Sequence, residues 1–275
     1  METSYKNNRR NIESVLQRER KHHDEWAANT GISDICVEKY FEGATSPENR
    51  FIISRMGDLK GKRILDLGCG HGESSVYFAL KGANCIAADI SPRMVQTAMK
   101  LADKYNVRIE SRTMNAMKIE FPENSFDIVY AANLLHHVDP VATVHEIFRV
   151  LKPNGKLCFW DPLKHNPVIK LYRRIAREVR SADESPLHIN IIDFMRTVFS
   201  EVESDVFWLC SLWIFLQFYF IEGVNPNRER FWKKIIFEEQ RLSPMYYRLE
   251  KIDKYCKRIP FIKRFAWNIA VIATK

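Results

Sequence analysis

Long uncharged runs are scarce in this 275-residue chain. The most notable, residues 206–221 (VFWLCSLWIFLQFYFI), carries no charge over 16 residues. A membrane-spanning helix needs about 20, and Gln217 interrupts the run, so a span is not expected. It reads as the end of a strand followed by an apolar helix that lines a pocket or packs inside a cap. An element lying on a membrane surface is the alternative. Cysteine pairs are also missing. The six cysteines, at 36, 69, 85, 158, 210 and 256, include no C-x-x-C and no metal-binding spacing. They read as reduced thiols of a cytoplasmic protein, and no metal is expected. Residues 1–30 are polar and charged, so no secretory signal is expected. No nucleic-acid-binding motif is visible, and no nucleic-acid partner is expected.

Glycine is sparse as well, with ten in all, yet three of them fall at alternate positions: Gly68, Gly70 and Gly72. They follow the apolar strand 63–67, which carries Asp66, and precede a helix over 73–81. Glycine there lets the chain turn tightly and lets a ligand approach the backbone N–H groups. The spacing is D-x-G-x-G-x-G. The dinucleotide fingerprint G-x-G-x-x-G is absent, which argues against an NAD-type oxidoreductase. A second apolar strand ends in Asp89, 21 positions after Gly68, where a carboxylate can accept both hydroxyls of a ribose. Ser91-Pro92 then caps a helix over 91–105. Strands follow at 108–114, 126–133 and 156–162, with a helix at 141–151 and a turn at 153–155. Strands alternating with helices give a parallel sheet covered on both faces, with ligands at the carboxyl ends of the strands.

This ordered set of motifs resembles the class I S-adenosylmethionine (AdoMet) methyltransferases over roughly residues 45–162. Asp66 suits a cofactor that carries an ammonium and a sulfonium. Asn115-Ala116-Met117 stands where the family recognises adenine. The usual first residue there is Asp, and the oxygen of Asn115 can still accept one bond. Phe126-Asp127-Ile128-Val129 and the turn at 149–155 resemble the family's fourth-strand and fifth-strand motifs. The resemblance implies a Rossmann-like seven-stranded sheet, mostly parallel with an antiparallel last strand, plus helical cap insertions. It implies AdoMet held by Asp66, Gly68, Cys69, Gly70, Gly72, Asp89, Ile90, Asn115, Ala116, Met117 and Asn133. In the loop after the fourth strand, His136 and His137 are candidates for a general base. The alternative is that one of them only holds the loop by hydrogen bonds.

Outside the core, residues 1–29 read as a helix with Ile12, Val15 and Leu16 on one face. As an N-terminal lid (1–44), it would bring His23 and Trp26 near the active site. Adjacent His22 and His23 point about 100° apart on a helix, which argues against a shared metal. Residues 163–180 read as a basic helix, 181–186 as a loop, 189–198 as a helix and 201–208 as the sixth strand. Residues 266–275 hold the final strand, which leaves 209–265 as an insertion the sheet does not require. Within it, Trp213, Phe215 and Phe218, with Trp208, are expected to line or roof an acceptor site. From residue 228 onward, 13 Lys/Arg stand against five Asp/Glu, a balance equal to the whole chain's +8. Aromatic residues interleave with these cations, a surface suited to peripheral membrane contact. The expected activity is methyl transfer from AdoMet to O, N or C of a small, bulky, lipophilic acceptor. A membrane-surface methyltransferase of a lipid or quinone and a non-catalytic AdoMet-fold binding protein remain the alternatives.

Overall fold

The computed structural model describes residues 2–176, 178 and 184–275. Its seven strands are β1 (Arg63–Leu67), β2 (Asn84–Asp89), β3 (Glu110–Thr113), β4 (Phe126–Ala132), β5 (Leu151–Pro162), β6 (Glu201–Phe207) and β7 (Asn268–Thr274). They form one sheet in the order β3-β2-β1-β4-β5-β7-β6, in which β7 alone runs antiparallel to its neighbours. The expected seven-stranded sheet is therefore present, and its last strand lies beside both the fifth and the sixth.

The helices are α1 (Glu2–Ala28), α2 (Val37–Glu42), α3 (Pro47–Met56), α4 (Glu73–Leu80), α5 (Pro92–Lys104), α6 (Pro140–Val150), α7 (Pro167–Ile175), α8 (Ile191–Val198), α9 (Trp213–Leu216), α10 (Phe231–Phe237), α11 (Glu239–Cys256) and α12 (Pro260–Lys263). Several start as the sequence dictates. The Ser91 hydroxyl accepts from the Met94 N–H, and Pro92 opens α5. Asp139 caps α6 ahead of Pro140, and Asn166 caps α7 ahead of Pro167. Each such cap satisfies backbone N–H groups that the helix itself cannot.

Side chains alternate across the central strands. Ile64 packs into one core with α2 to α5, whereas Leu65 and Leu67 join the other with α6 and α8. Both faces of the sheet are thus covered, and every residue of β1 from Ile64 to Leu67 is buried, Asp66 included. A third, separate cluster lies in the cap and gathers Trp208, Ile214, Phe215, Phe218, Phe231 and Tyr246.

Differences from the sequence reading are local. The strand expected at 108–114 shortens to β3, at the sheet edge. The turn at 153–155 is absorbed into β5, where the register shifts against β4 and Asn154 takes φ 63°. In the expected basic helix 163–180 the helical part is α7. Arg177 and Arg180 lie outside the described residues, as does part of the loop 181–186. The side chain of Ile12 is likewise outside them, while Val15 and Leu16 are half-buried. In the uncharged run, β6 stops at Phe207 and Trp208 turns the chain at φ 64°. A 3-10 turn at Cys210–Leu212, α9 and a π-helical turn at Gln217–Ile221 follow. Among the described residues no helix is long and apolar enough to cross a membrane.

Candidate functional site

A cleft opens at the carboxyl ends of β1, β2 and β4, where the parallel strands leave room between their loops. It is lined by Asp66, Gly68, Cys69, Gly70, Asp89, Ile90, Asn115, Ala116 and Asn133, with Leu16, Glu19, His23 and Trp26 of α1 on the opposite side. The cleft holds about 1110 Å³, open mouth included, room for a nucleoside-sized ligand. Helix α1 is tied down beside it, since the Ser91 hydroxyl donates to Asp24 at 2.6 Å.

The glycine loop is built differently from its expected role. The N–H groups of Gly68 and Cys69 both donate to the Ala88 carbonyl, at 2.8 and 3.0 Å. The Gly70 N–H donates to Asp89 Oδ2 at 3.1 Å. These three donors hold the loop to β2, so what the glycines supply is close approach. Gly68, at φ 75°, lies under Leu134, and Gly70, at φ 52°, would point a Cβ into open space. Gly72 does not line the cleft. A Cβ there would fall 2.5 Å from Ala98 Cβ, so this glycine lets the turn press against α5. Met117 does not line the cleft either. Its N–H donates to Asn115 Oδ1 at 2.9 Å, and Met114 takes the lining position instead.

Asp66 is buried and accepts from the Ser75 hydroxyl at 2.6 Å. Burial, with Glu73 and Asp89 close by, pushes its carboxyl up to about 7. Asp89 is raised by burial too, against the pull of the Ser91 and Gly70 N–H groups. The buried imidazole of His71 lies edge-on to Trp26 with ring centres 4.8 Å apart, and burial pushes its pKa down to about 3. Its Nε2 makes no hydrogen bond among the described residues, leaving a polar atom in the cleft for a ligand. The sequence reading missed His71, Tyr40, Glu19 and Trp232. His71 sits within the glycine loop itself, and Glu19 lies one helical turn before His23, so both were within reach of it.

The two loop histidines are not equivalent. His136 is buried, and its Nδ1 lies 2.5 Å from Asp161 Oδ1. Asp161 also accepts from the N–H groups of Leu135 at 3.0 Å and His136 at 3.2 Å. This carboxylate fastens the loop to the end of β5. His137 faces the cleft, with Nδ1 3.0 Å from Glu19 Oε2, and burial pushes its pKa down to about 4. His23 Nε2 lies 3.6 Å from the same oxygen. The ligand atoms of Glu19, His23 and His137 lie close enough to surround a cation, as do those of His136, His137 and Glu184. Adjacent-residue geometry at His22-His23 did not anticipate these groupings, which tertiary contact creates.

Two further cavities meet the cleft at Asn133 and Trp232. One is lined by His136, His137, Tyr172, Arg173 and Arg230, the other by Glu48, Asn49, Trp160, Trp208, Trp267 and Asn268. Of the residues expected to line the acceptor site, Trp208 lines the second of these cavities, whereas Trp213, Phe215 and Phe218 line neither. Phe215 and Phe218 are buried in the cap cluster, and Trp213 is 52% exposed on the outside. The break at Trp208 rotates the helix so that its apolar face closes the cap. Phe215 lies one layer behind the cavities, against Tyr172 and Trp267. Trp232, which by sequence belonged to a basic outer surface, lines all three spaces.

Residues 65–159 match the sequence profile of a methyltransferase domain. This chain contains a class I AdoMet-dependent methyltransferase domain. A ubiquinone biosynthesis O-methyltransferase of Pseudomonas fluorescens is 35% identical over 131 residues, 46% of this chain and 55% of that protein. The sterol 24-C-methyltransferase of Saccharomyces cerevisiae is 27% identical over 175 residues, 60% of this chain and 46% of that protein. The chain thus spans about half the length of the curated relatives it matches. Among solved structures, a putative methyltransferase of Haloferax volcanii in complex with the activator Trm112 superposes with a TM-score of 0.59 at 19% identity, covering 92% of this chain and 96% of that one. A phosphoethanolamine N-methyltransferase of Haemonchus contortus, in complex with phosphomonomethylethanolamine and S-adenosylhomocysteine, gives 0.56 at 20% identity, covering 83% and 52%. These two likenesses establish the fold. The methyltransferase domain's cofactor, AdoMet, suits the residues present. Asp89 stands at the end of β2 for a ribose, the open space over Gly70 admits a close ligand, and buried carboxylates suit a cationic one.

Proposed function

We propose that this chain transfers the methyl group of AdoMet to an O, N or C nucleophile of a small-molecule acceptor. The observation that carries the proposal is the junction at Asn133 and Trp232, where two side cavities open from the cofactor cleft. AdoMet supplies a methyl group activated by the sulfonium. The protein's part is alignment and exclusion of water. Asp89 holds the ribose and Asn115 the adenine, while α1 acts as the lid and places Trp26 between cofactor and acceptor. His137 presents its imidazole to the acceptor at the junction. His136 is the histidine that holds the loop. The tryptophans of the third cavity favour an acceptor with a bulky apolar part, in keeping with relatives named for sterol methylation and ubiquinone biosynthesis.

The test is turnover of methyl-labelled AdoMet over a panel of phenolic, amine and lipid acceptors, read as S-adenosylhomocysteine formed and label transferred. A purified protein that binds AdoMet but labels nothing across such a panel would support the non-catalytic reading. His137→Ala should lower kcat with little effect on cofactor affinity, whereas His136→Ala should also lower stability.

A peripheral membrane contact is favoured by one further observation. Tyr255, Ile259 and Phe261 stand 68%, 52% and 60% exposed where α11 meets α12, among Lys254, Arg258, Lys263 and Arg264. An exposed apolar group ringed by cations suits an anionic lipid surface. Co-sedimentation with phosphatidylserine vesicles that weakens with salt and with Phe261→Ala supports it. Equal sedimentation with neutral vesicles counts against it.

A further inference from the structure

The cavity on the α7 side of the junction holds more cationic than anionic groups. Arg173 and Arg230 both line it. Arg173 reaches Glu184, 3.3 Å from Oε2. Arg230 forms no ion pair with any described residue. Its guanidinium lies 3.9 Å over the face of Trp26, and burial lowers its pKa without removing its charge. Arg230 is half-buried, and a cation drawn out of water without a counter-ion carries a cost that an anionic ligand offsets. A guanidinium's planar fork of N–H donors meets a carboxylate or phosphate with two parallel hydrogen bonds. The same cavity shares Trp26, Asn133, His137 and Trp232 with the cofactor cleft, so the two spaces adjoin along these side chains.

We infer that the acceptor is an anion, whose carboxylate or phosphate group is seated against Arg230 and Arg173 while its nucleophile reaches the junction at Asn133 and His137. This rests on the methyltransferase reading above and narrows it. Arg230 then sets specificity: it fixes the end of the acceptor remote from the chemistry.

The experiment compares anionic probes with neutral counterparts of the same shape: 4-hydroxybenzoate against 4-hydroxybenzamide, and phenyl phosphate against phenol. Each is titrated by calorimetry or ligand-observed NMR into the full chain, with and without saturating S-adenosylhomocysteine. The expected result is a preference of tenfold or more for at least one anion, weakening as salt is raised. Arg230→Gln should abolish the preference and Arg230→Lys should keep part of it, with S-adenosylhomocysteine affinity unchanged in both variants as the control for folding. Whichever anion keeps its preference names the group. The inference is overturned if neither anion binds better than its neutral partner at millimolar concentration, or if Arg230→Gln weakens anion and neutral probe alike. Failure of S-adenosylhomocysteine to bind would instead refute the methyltransferase reading, and the anion preference measured without it still decides the claim about Arg230.

Discussion

Asp161 is the residue on which the loop after β4 depends, and a pair of substitutions there separates holding the loop from taking part in transfer. Three donors converge on its carboxylate: the N–H groups of Leu135 and His136 and the His136 ring. Asp161→Ala leaves all three buried and unanswered. Each unsatisfied donor costs about 1–3 kcal/mol, and the three share one site, so the expected loss is about 3–5 kcal/mol, or roughly 6–20 °C in Tm for a chain of this size. Asp161→Asn is more discriminating. Its oxygen can still serve His136, but its amide group then meets the Leu135 N–H, donor against donor, at a cost of about 1–3 kcal/mol. Denaturant unfolding gives the stabilities, and calorimetry with S-adenosylhomocysteine gives the cofactor affinity. Asp161→Asn should keep cofactor affinity within a few-fold and lose turnover, because His137 is no longer held at the junction. An Asp161→Ala protein within 1 kcal/mol of the parent and fully active would refute this reasoning.

Other substitutions probe other parts of the site. Glu48 is buried, accepts from Asn268 at 2.6 Å, and has its carboxyl pushed up to about 7 by burial. An acid with a raised native pKa binds its proton in the fold after the unfolded chain has released it. Stability is therefore lost as pH rises from about 4.3 to about 7, by at most about 3.5 kcal/mol. Glu48→Gln should flatten that slope in urea melts taken at pH 5 and pH 8; a parent protein with no such slope contradicts the account. Gly72→Ala combines left-handed strain of about 1–2 kcal/mol with overpacking of about 1–3 kcal/mol against Ala98, so its unfolding midpoint should fall well below that of Gly70→Ala, which meets no neighbouring atom. Gly70→Ala should instead weaken S-adenosylhomocysteine binding, and the reverse ordering would show that the two glycines have been assigned the wrong roles. Phe215→Ala should cost about 3–5 kcal/mol and depress every kinetic parameter together. A selective rise in acceptor KM with stability intact would return Phe215 to the acceptor site.

Local chemistry made the cofactor half legible. The run from Arg63 to Gly72, the acid at Asp89 and the caps at Ser91 and Asp139 each act over a few residues, and the sheet followed from their order. The acceptor half depends on contacts between distant segments. Nothing near Arg230 in the sequence says that it stacks on Trp26, or that Glu19 meets His137. The aromatic run misled for a physical reason. Helical spacing shows that Phe215 and Phe218 share a face with Trp208, but not which way that face turns, and the positive φ at Trp208 turned it into the cap. In the glycine loop, spacing revealed the turn but not that its N–H groups are already spent on Ala88 and Asp89.

The central claim is that the cleft at the ends of β1, β2 and β4 binds AdoMet through Asp89. Isothermal titration of S-adenosylhomocysteine into the parent protein and into Asp89→Ala tests it most directly. The parent should bind at one site, and the variant should bind more weakly by about 1.5–3 kcal/mol, the value of hydrogen bonds to a charged group, or roughly 10- to 150-fold in Kd. A parent that does not bind, or a folded Asp89→Ala protein with unchanged affinity, would contradict it.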